Sequence, residues 1–319
     1  MGEAGLVDWI LAAATLAAAG VVVSAPLRMA QAMGFLVLGV LASLVWLRMG
    51  SVDVGLAEAG LGGGLLGAVL VVLAAAPQRA PSSESRGMPA APAALFGTVA
   101  GVLITLVLGA AWLRAAPALE QQSPGWSEPL AEQLPSTGVE HGITGVLLAF
   151  RAYDTLLESG VLMLAALGAL ALMDPARLSA PQTFSAVPRN LSWMVRAAAP
   201  VLLVAGMWLL FAGSTDSGGA FQSGAVLTAL LILLRVSGAD LSFVHRVLLR
   251  PALVVGVLAF IAAGLVGYAA TGDWLGWAPE WAFAAVLTVE ILLTVGIAAG
   301  LYAIFLAVEP QSRSEGAVV

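Results

Sequence analysis

The chain has 319 residues, of which 60% are hydrophobic and only 10% charged, and its formal net charge is −6. Soluble domains carry about a quarter charged residues, so this balance excludes an ordinary soluble enzyme, and the acidic sign argues against a nucleic-acid partner. The chain has no cysteine, which removes disulfides, iron–sulfur ligands and thiol catalysis, and no lysine, so all 13 basic residues are arginines.

The N-terminus carries Glu3 and Asp8 where a signal peptide would have a basic region, so no cleavable signal is expected. A helix needs about 20 apolar residues to cross the hydrocarbon layer. Nine segments meet or approach this: Leu6–Val23, Ala32–Leu47, Val54–Ala76, Ala94–Leu113, Leu156–Met173, Met194–Ala212, Ala220–Val236, Leu253–Ala270 and Trp281–Val308. The second is short and ends at Trp46 and Arg48. The expectation is an all-α, polytopic integral membrane protein with about nine transmembrane helices.

Nine spans put alternate connections on opposite faces. Ten arginines then share one face (Arg28, Arg79, Arg86, Arg177, Arg189, Arg196, Arg235, Arg246, Arg250 and Arg313), and Arg48, Arg114 and Arg151 take the other. Positive charge is retained in the cytoplasm, which predicts an external N-terminus and a cytoplasmic C-terminus. Trp9, Trp46, Trp112, Trp193, Trp274, Trp277 and Trp281 fall near helix ends, as an interfacial aromatic belt requires. The longest external loop, Ala115–Glu140, holds Glu120, Glu128, Glu132 and Glu140. It reads first as a solvated loop and second as a cation-attracting funnel.

Two stretches dense in proline and serine, 77–92 and 174–192, read as linkers. They divide the chain into a three-helix module (1–76), a two-helix module (93–173) and a four-helix module (193–319). Small membrane proteins fused end to end would leave this pattern.

Acids within the apolar runs are the informative residues. Glu58 lies about one turn beyond Asp53 in the third span, among Gly60, Gly62, Gly63, Gly64 and Gly67. A carboxylate there is protonated, paired or open to a water-filled path, and the glycines let another helix approach closely. In VLLAFRAYDTLLESGVLML the spacing places Arg151, Asp154 and Glu158 on one helical face. Arg151 can pair with Asp154 and hold it ionised, leaving Glu158 as the deeper acid. Glu290 stands in the last span with no basic residue in that helix to neutralise it. For each acid the competing reading is an interhelical hydrogen bond that only fixes packing. Between the sixth and seventh spans, Gly213–Gly224 (GSTDSGGAFQSG) reads either as a plain hairpin or as a tight re-entry with backbone lining polar space. His141 and His245 are too few and too far apart for a metal site, and no nucleophile–base, phosphate-loop or dinucleotide motif is present. Neither a metal nor a cofactor is expected.

These segments resemble, in chain order, parts of the Mrp-type multisubunit Na+/H+ antiporters and of the related membrane-bound, gas-evolving hydrogenases. VDVGLAEAGLGGG (Val52–Gly64) is similar to the family's PDVAxTEAxxGxG helix, with Val52 in place of proline, Gly55 of alanine and Ala57 of threonine. FRAYDTLLE (Phe150–Glu158) resembles YRGFDTLGE, keeping Arg151, Asp154, Thr155 and Glu158 and losing both glycines. The Gly213–Gly224 loop resembles the GHNAPGGGFQGG loop of the B-type antiporter subunit. Gly213, Gly218, Gly219, Phe221, Gln222 and Gly224 match, and Ser214 replaces the histidine. Val289-Glu290 and Thr294-Val295-Gly296 echo the last helix of that subunit.

The resemblance implies a fusion of the A subunit's C-terminal portion with the B subunit, equivalent to three small hydrogenase subunits. Module 1–76 then resembles the hydrogenase D-type subunit, 93–173 the E-type and 193–319 the antiporter B subunit. It further implies a non-redox membrane subunit of a multisubunit antiporter, or of a complex-I-like respiratory complex, in a bacterial or archaeal cytoplasmic membrane. Its partners would be the lipid bilayer, Na+ or H+, and other membrane subunits, among them antiporter-like pumping subunits with buried lysines. Lacking lysine, this chain would not be the main pump. It would supply an acid-lined cation path, with Glu58, Asp154, Glu158, Glu290 and Arg151 as candidates. A structural scaffold subunit and a stand-alone secondary transporter are the alternatives, although no inverted repeat supports the second.

Overall fold

A computed structural model describes residues 5–75, 90–122, 125, 127–173 and 189–309. Among them there is helix and no strand. Eight helices are long and apolar enough to cross a membrane, and the apolar helix Ala220–Val236 falls just short of that length. All nine expected segments are therefore helical. The predicted linkers lie largely outside the described residues, as do Arg79, Arg86, Arg177 and Arg313. The chain forms two compact units, Met1–Ala76 with Leu134–Val319, and Pro77–Gln133.

In the larger unit, α1 (Leu6–Ser24) starts where the Gly5 amide donates to Asp8 Oδ2 at 2.8 Å and stops before Pro26. α2 (Arg28–Arg48) ends at Gly50, whose φ of +79° allows the Ser51 amide to reach back to the Trp46 carbonyl at 3.0 Å. α3 (Val52–Ala75) then runs back beside α2. Its glycine-rich middle, Ala59–Leu66, is wound as a π-helix. There the backbones touch: a Cβ on Gly39 would stand 2.5 Å from Gly63 Cα. This is the close approach the glycines predicted. The π winding was not predicted.

The smaller unit holds α4 (Ala90–Gln122) and α5 (Ser127–Gln133). Much of the expected external loop is thus helical, because ALEQQ and LAEQ are strong helix formers. The side chain of Glu120 lies outside the described residues.

Back in the larger unit, α6 (Gly142–Gly145) passes through a π turn, Val146–Phe150, and breaks at Arg151 before α7 (Ala152–Leu172). The carbonyls freed by the break are satisfied: Thr155 Oγ1 donates to Leu147 O at 2.7 Å and Trp277 Nε1 to Leu148 O at 3.1 Å. α8 (Arg189–Ala212), α9 (Ala220–Val236), α10 (Val244–Thr271) and α11 (Ala282–Val308) complete the unit.

α11 is the axis. It buries residues on all sides, among them Val286, Leu293, Ile297, Tyr302 and Phe305, as a helix apolar all round must. Small residues seat its neighbours: Gly224 of α9 against Ile297, Gly256 of α10 against Leu293, and Leu162 of α7 against Gly300. At the C-terminal end of α11, Arg235 bonds Glu309 at 2.8 Å and His245 lies 2.9 Å from the Tyr302 hydroxyl. Trp274 and Trp277, which lie near helix ends as expected, between α10 and α11, are partly buried against this core.

Candidate functional site

In the polar loop between α8 and α9, Gly213, Ser214, Gly218 and Gly219 are buried, while Thr215 and Asp216 are exposed. Glu290 is eight residues beyond the start of α11, about 12 Å along the axis, and the loop touches it there. Irregular backbone at such depth persists only where protein or a water-filled cavity satisfies it. The loop is a short connection between the end of α8 at Ala212 and the start of α9 at Ala220, and its buried Gly213 and Gly219 face Glu290.

Three features hold this loop. Glycines make room for it: Cβ atoms on Gly213 or Gly219 would stand 2.8 Å from Glu290 Oε1, and one on Gly218 would collide with the Leu209 carbonyl. Gly219 also has φ +109°, which other residues rarely adopt. The segment before α6 forms the second support. The Glu140 and His141 amides donate to Ser214 O at 2.8 and 3.1 Å, and the Thr144 hydroxyl donates to Gly213 O.

Asp53, in the first turn of α3, is the third. Its Oδ1 accepts the Gly218 amide at 3.1 Å, and its Oδ2 accepts the Ser217 hydroxyl at 3.1 Å and lies 3.1 Å from His141 Nε2. Its own carbonyl accepts Gln222 Nε2 at 3.2 Å. Asp53 is therefore buried and fully engaged.

Glu290 is different. It is only 2% exposed, the Ala220 amide at the start of α9 bonds its carboxylate, and its Oε2 has no partner among the described residues. A buried carboxylate with an unmet oxygen carries a large desolvation cost unless it binds a proton or a cation. Successive loop glycines thus face two acids, Gly218 toward Asp53 and Gly219 toward Glu290.

The other predicted residues lie apart from this pair. Glu58 is half-buried at the head of the π segment, its carboxylate against Gly62, with no hydrogen bond or ion pair among the described residues. Arg151 pairs with Asp154 at 2.5 Å, both exposed, as the spacing foretold. Arg151 itself stands in the break before α7, not within that helix. Glu158 is exposed one turn beyond Asp154 and has no partner among the described residues. From the motif loop, Gln222 reaches Asp53, Phe221 packs on the core and Gly224 seats α9 on α11. No group of three or more metal-ligating side chains exists among the described residues.

Sequence reasoning passed over Asp53 and His141. Asp53 stands in the VDV of the third span, five residues before Glu58, and its place in that motif was the available signal. What made it central, contacts 88 and 165 residues away, has no trace in local pattern.

Fold and site define a polytopic all-α membrane protein with a buried acid on its central helix, facing a polar loop. Residues 190–308, which are α8 to α11, match a family model described as a domain related to the MnhB subunit of Na+/H+ antiporter. The whole fold is similar to a chain from the structure of the Mrp complex from Dietzia sp. DQ12-45-1b, with TM-score 0.75 and 20% identity over 99% of this chain. The present chain spans 36% of that longer one. No curated protein sequence matches it. The two matches agree with the Mrp-type resemblance read from the motifs.

Proposed function

We propose that this protein is a non-redox membrane subunit of a multisubunit cation/proton antiporter of the Mrp type, and that it contributes an acid-lined path for Na+ or H+. The observation that carries the reading is Glu290, a buried and half-satisfied carboxylate on the central helix, facing Gly213 and Gly219 of the polar loop. Such a group offers one unmet oxygen to a proton or a cation, while the Ala220 amide holds the carboxylate in place. Glu58 and Glu158, unpartnered among the described residues, are the further candidates, and Arg151 pairs with Asp154 one turn before Glu158. Partner subunits bearing buried lysines would do the principal pumping, since a lysine's pKa moves readily on desolvation and this chain has none. The modules 1–76, 93–173 and 193–319 would correspond to three neighbouring small subunits joined in one chain, in a bacterial or archaeal cytoplasmic membrane.

A scaffold role has its own support in Asp53, whose bonds are all met and tie α3, the 137–145 segment and the loop together. The two roles separate by residue. With the intact complex in vesicles, Glu290→Gln should lower cation/proton exchange about tenfold or more, the factor carried by ~1.4 kcal/mol, while assembly persists. Glu58→Gln and Glu158→Gln test the rest of the path. Undiminished exchange in all three variants would leave only the scaffold role.

A further inference from the structure

The α1–α2–α3 layer contains a feature that ion movement does not use. At the end of this layer remote from Asp53, an open cavity of about 380 Å³ lies between the three helices. Pockets for small organic ligands run to about 300–1,000 Å³. Its walls are apolar, with Val22 from α1, Phe35 from α2, and Leu70 and Ala74 from α3, while Arg28 and Gln31 stand together at one end. Arg28 is exposed, and it has no hydrogen bond or ion pair among the described residues. The only described acid on α1 or α2, Asp8, is held by Arg48 at 2.8 Å at the opposite end of the layer, some 30 Å away along α2. Phe35 lies seven residues beyond Arg28, so the apolar wall extends about 10 Å inward from the cation.

We infer that this cavity holds a phospholipid with an anionic headgroup, the phosphate on Arg28 and Gln31 and an acyl chain along Phe35, Leu70 and Ala74. The arrangement fits that occupant on three counts. The cation is at the helix ends, which is headgroup level for helices of this length. The slot leading from it is apolar, and it opens beside helices whose outer faces are themselves apolar. A basic group between helix ends is the recognised chemistry for an anionic lipid head, and a soluble anion would have no use for the apolar walls.

The test uses the full chain purified from vesicles of mixed phosphatidylglycerol and phosphatidylcholine, with retained lipid counted by native mass spectrometry. Phosphatidylglycerol should be retained in preference, and Arg28→Gln should cut that preference about fivefold. Arg28→Lys should keep most of it. Ala74→Trp, which fills the slot and leaves the cation, should lower retention of both lipids. Arg196→Gln, which removes an equal charge from α8, should change nothing. Equal retention of the two lipids by the unaltered chain would overturn the proposal, as would retention indifferent to both Arg28→Gln and Ala74→Trp. Displacement of the lipid by excess inorganic phosphate would also overturn it, by showing an anion site without a lipid slot.

Discussion

Asp53 and Glu290 show how two acids of one type take different roles from their surroundings. Asp53 accepts from Gly218 and Ser217 and meets His141, so removing its carboxylate strands buried polar groups. Asp53→Ala should destabilise the protein by about 1–3 kcal/mol for each buried donor left unpaired. Thermal unfolding of the purified chain in detergent measures this, and Asp53→Asn should fall between Ala and the native protein. A midpoint unchanged in Asp53→Ala would show that the network does not hold the loop. Glu290, with an oxygen to spare, should behave in the opposite sense, and Glu290→Gln should change transport more than stability. The sequence marked Glu290 because an isolated acid stands out in an apolar run. It could not rank Asp53, which looked like an ordinary acid in a helix's first turn.

At the scale of elements, glycine content was enough to predict a close helix neighbour for α3, and the structure identifies that neighbour as α2. Gly39 and Gly63 form the closest backbone approach between them. Gly39→Ala should cost about 1–3 kcal/mol, because its Cβ would meet Gly63 backbone at 2.5 Å and backbone cannot rotate away. Gly20→Ala on α1 is the matched control, since nothing lies within 4 Å of its Cβ. It should be neutral or stabilise by up to ~1 kcal/mol through helix propensity. Unfolding midpoints for the pair decide whether contact or propensity governs glycine here. The π winding over Ala59–Leu66 was not legible, because it depends on how α3 must fit both Gly39 of α2 and Ala225 of α9. The helical stretches inside the expected external loop were missed for the opposite reason: a local propensity signal was present, and its polar composition was read as coil.

Across the larger unit, the described arginines segregate as the sequence implied. Arg28, Arg189, Arg196, Arg235, Arg246 and Arg250 fall at one end, where α2, α8 and α10 begin and α9 ends, and Arg48 and Arg151 fall at the other. The positive-inside rule predicts that the first end is cytoplasmic. The chain has no cysteine, so single cysteines can be placed without background. Thr215→Cys, in the exposed part of the α8–α9 loop, should react with a membrane-impermeant maleimide in intact cells. Asp240→Cys, exposed between α9 and α10, should react only after permeabilisation. The reverse pattern would invert the topology and place Glu290 near the cytoplasmic face.

By itself the sequence determined the class of protein, the positions of its helices and the segregation of its charge. Hydrophobic run length, arginine position and glycine spacing are one-dimensional quantities that the bilayer reads directly. Only the tertiary structure decided which acids matter to one another. Burial, a missing partner on Glu290 and the meeting of Asp53 with residues from two distant segments arise when helices pack, and packing depends on side chains that are remote in the chain. The same packing brought Gly213 and Gly219 of the polar loop against Glu290, and so set a glycine-rich connection beside a buried acid.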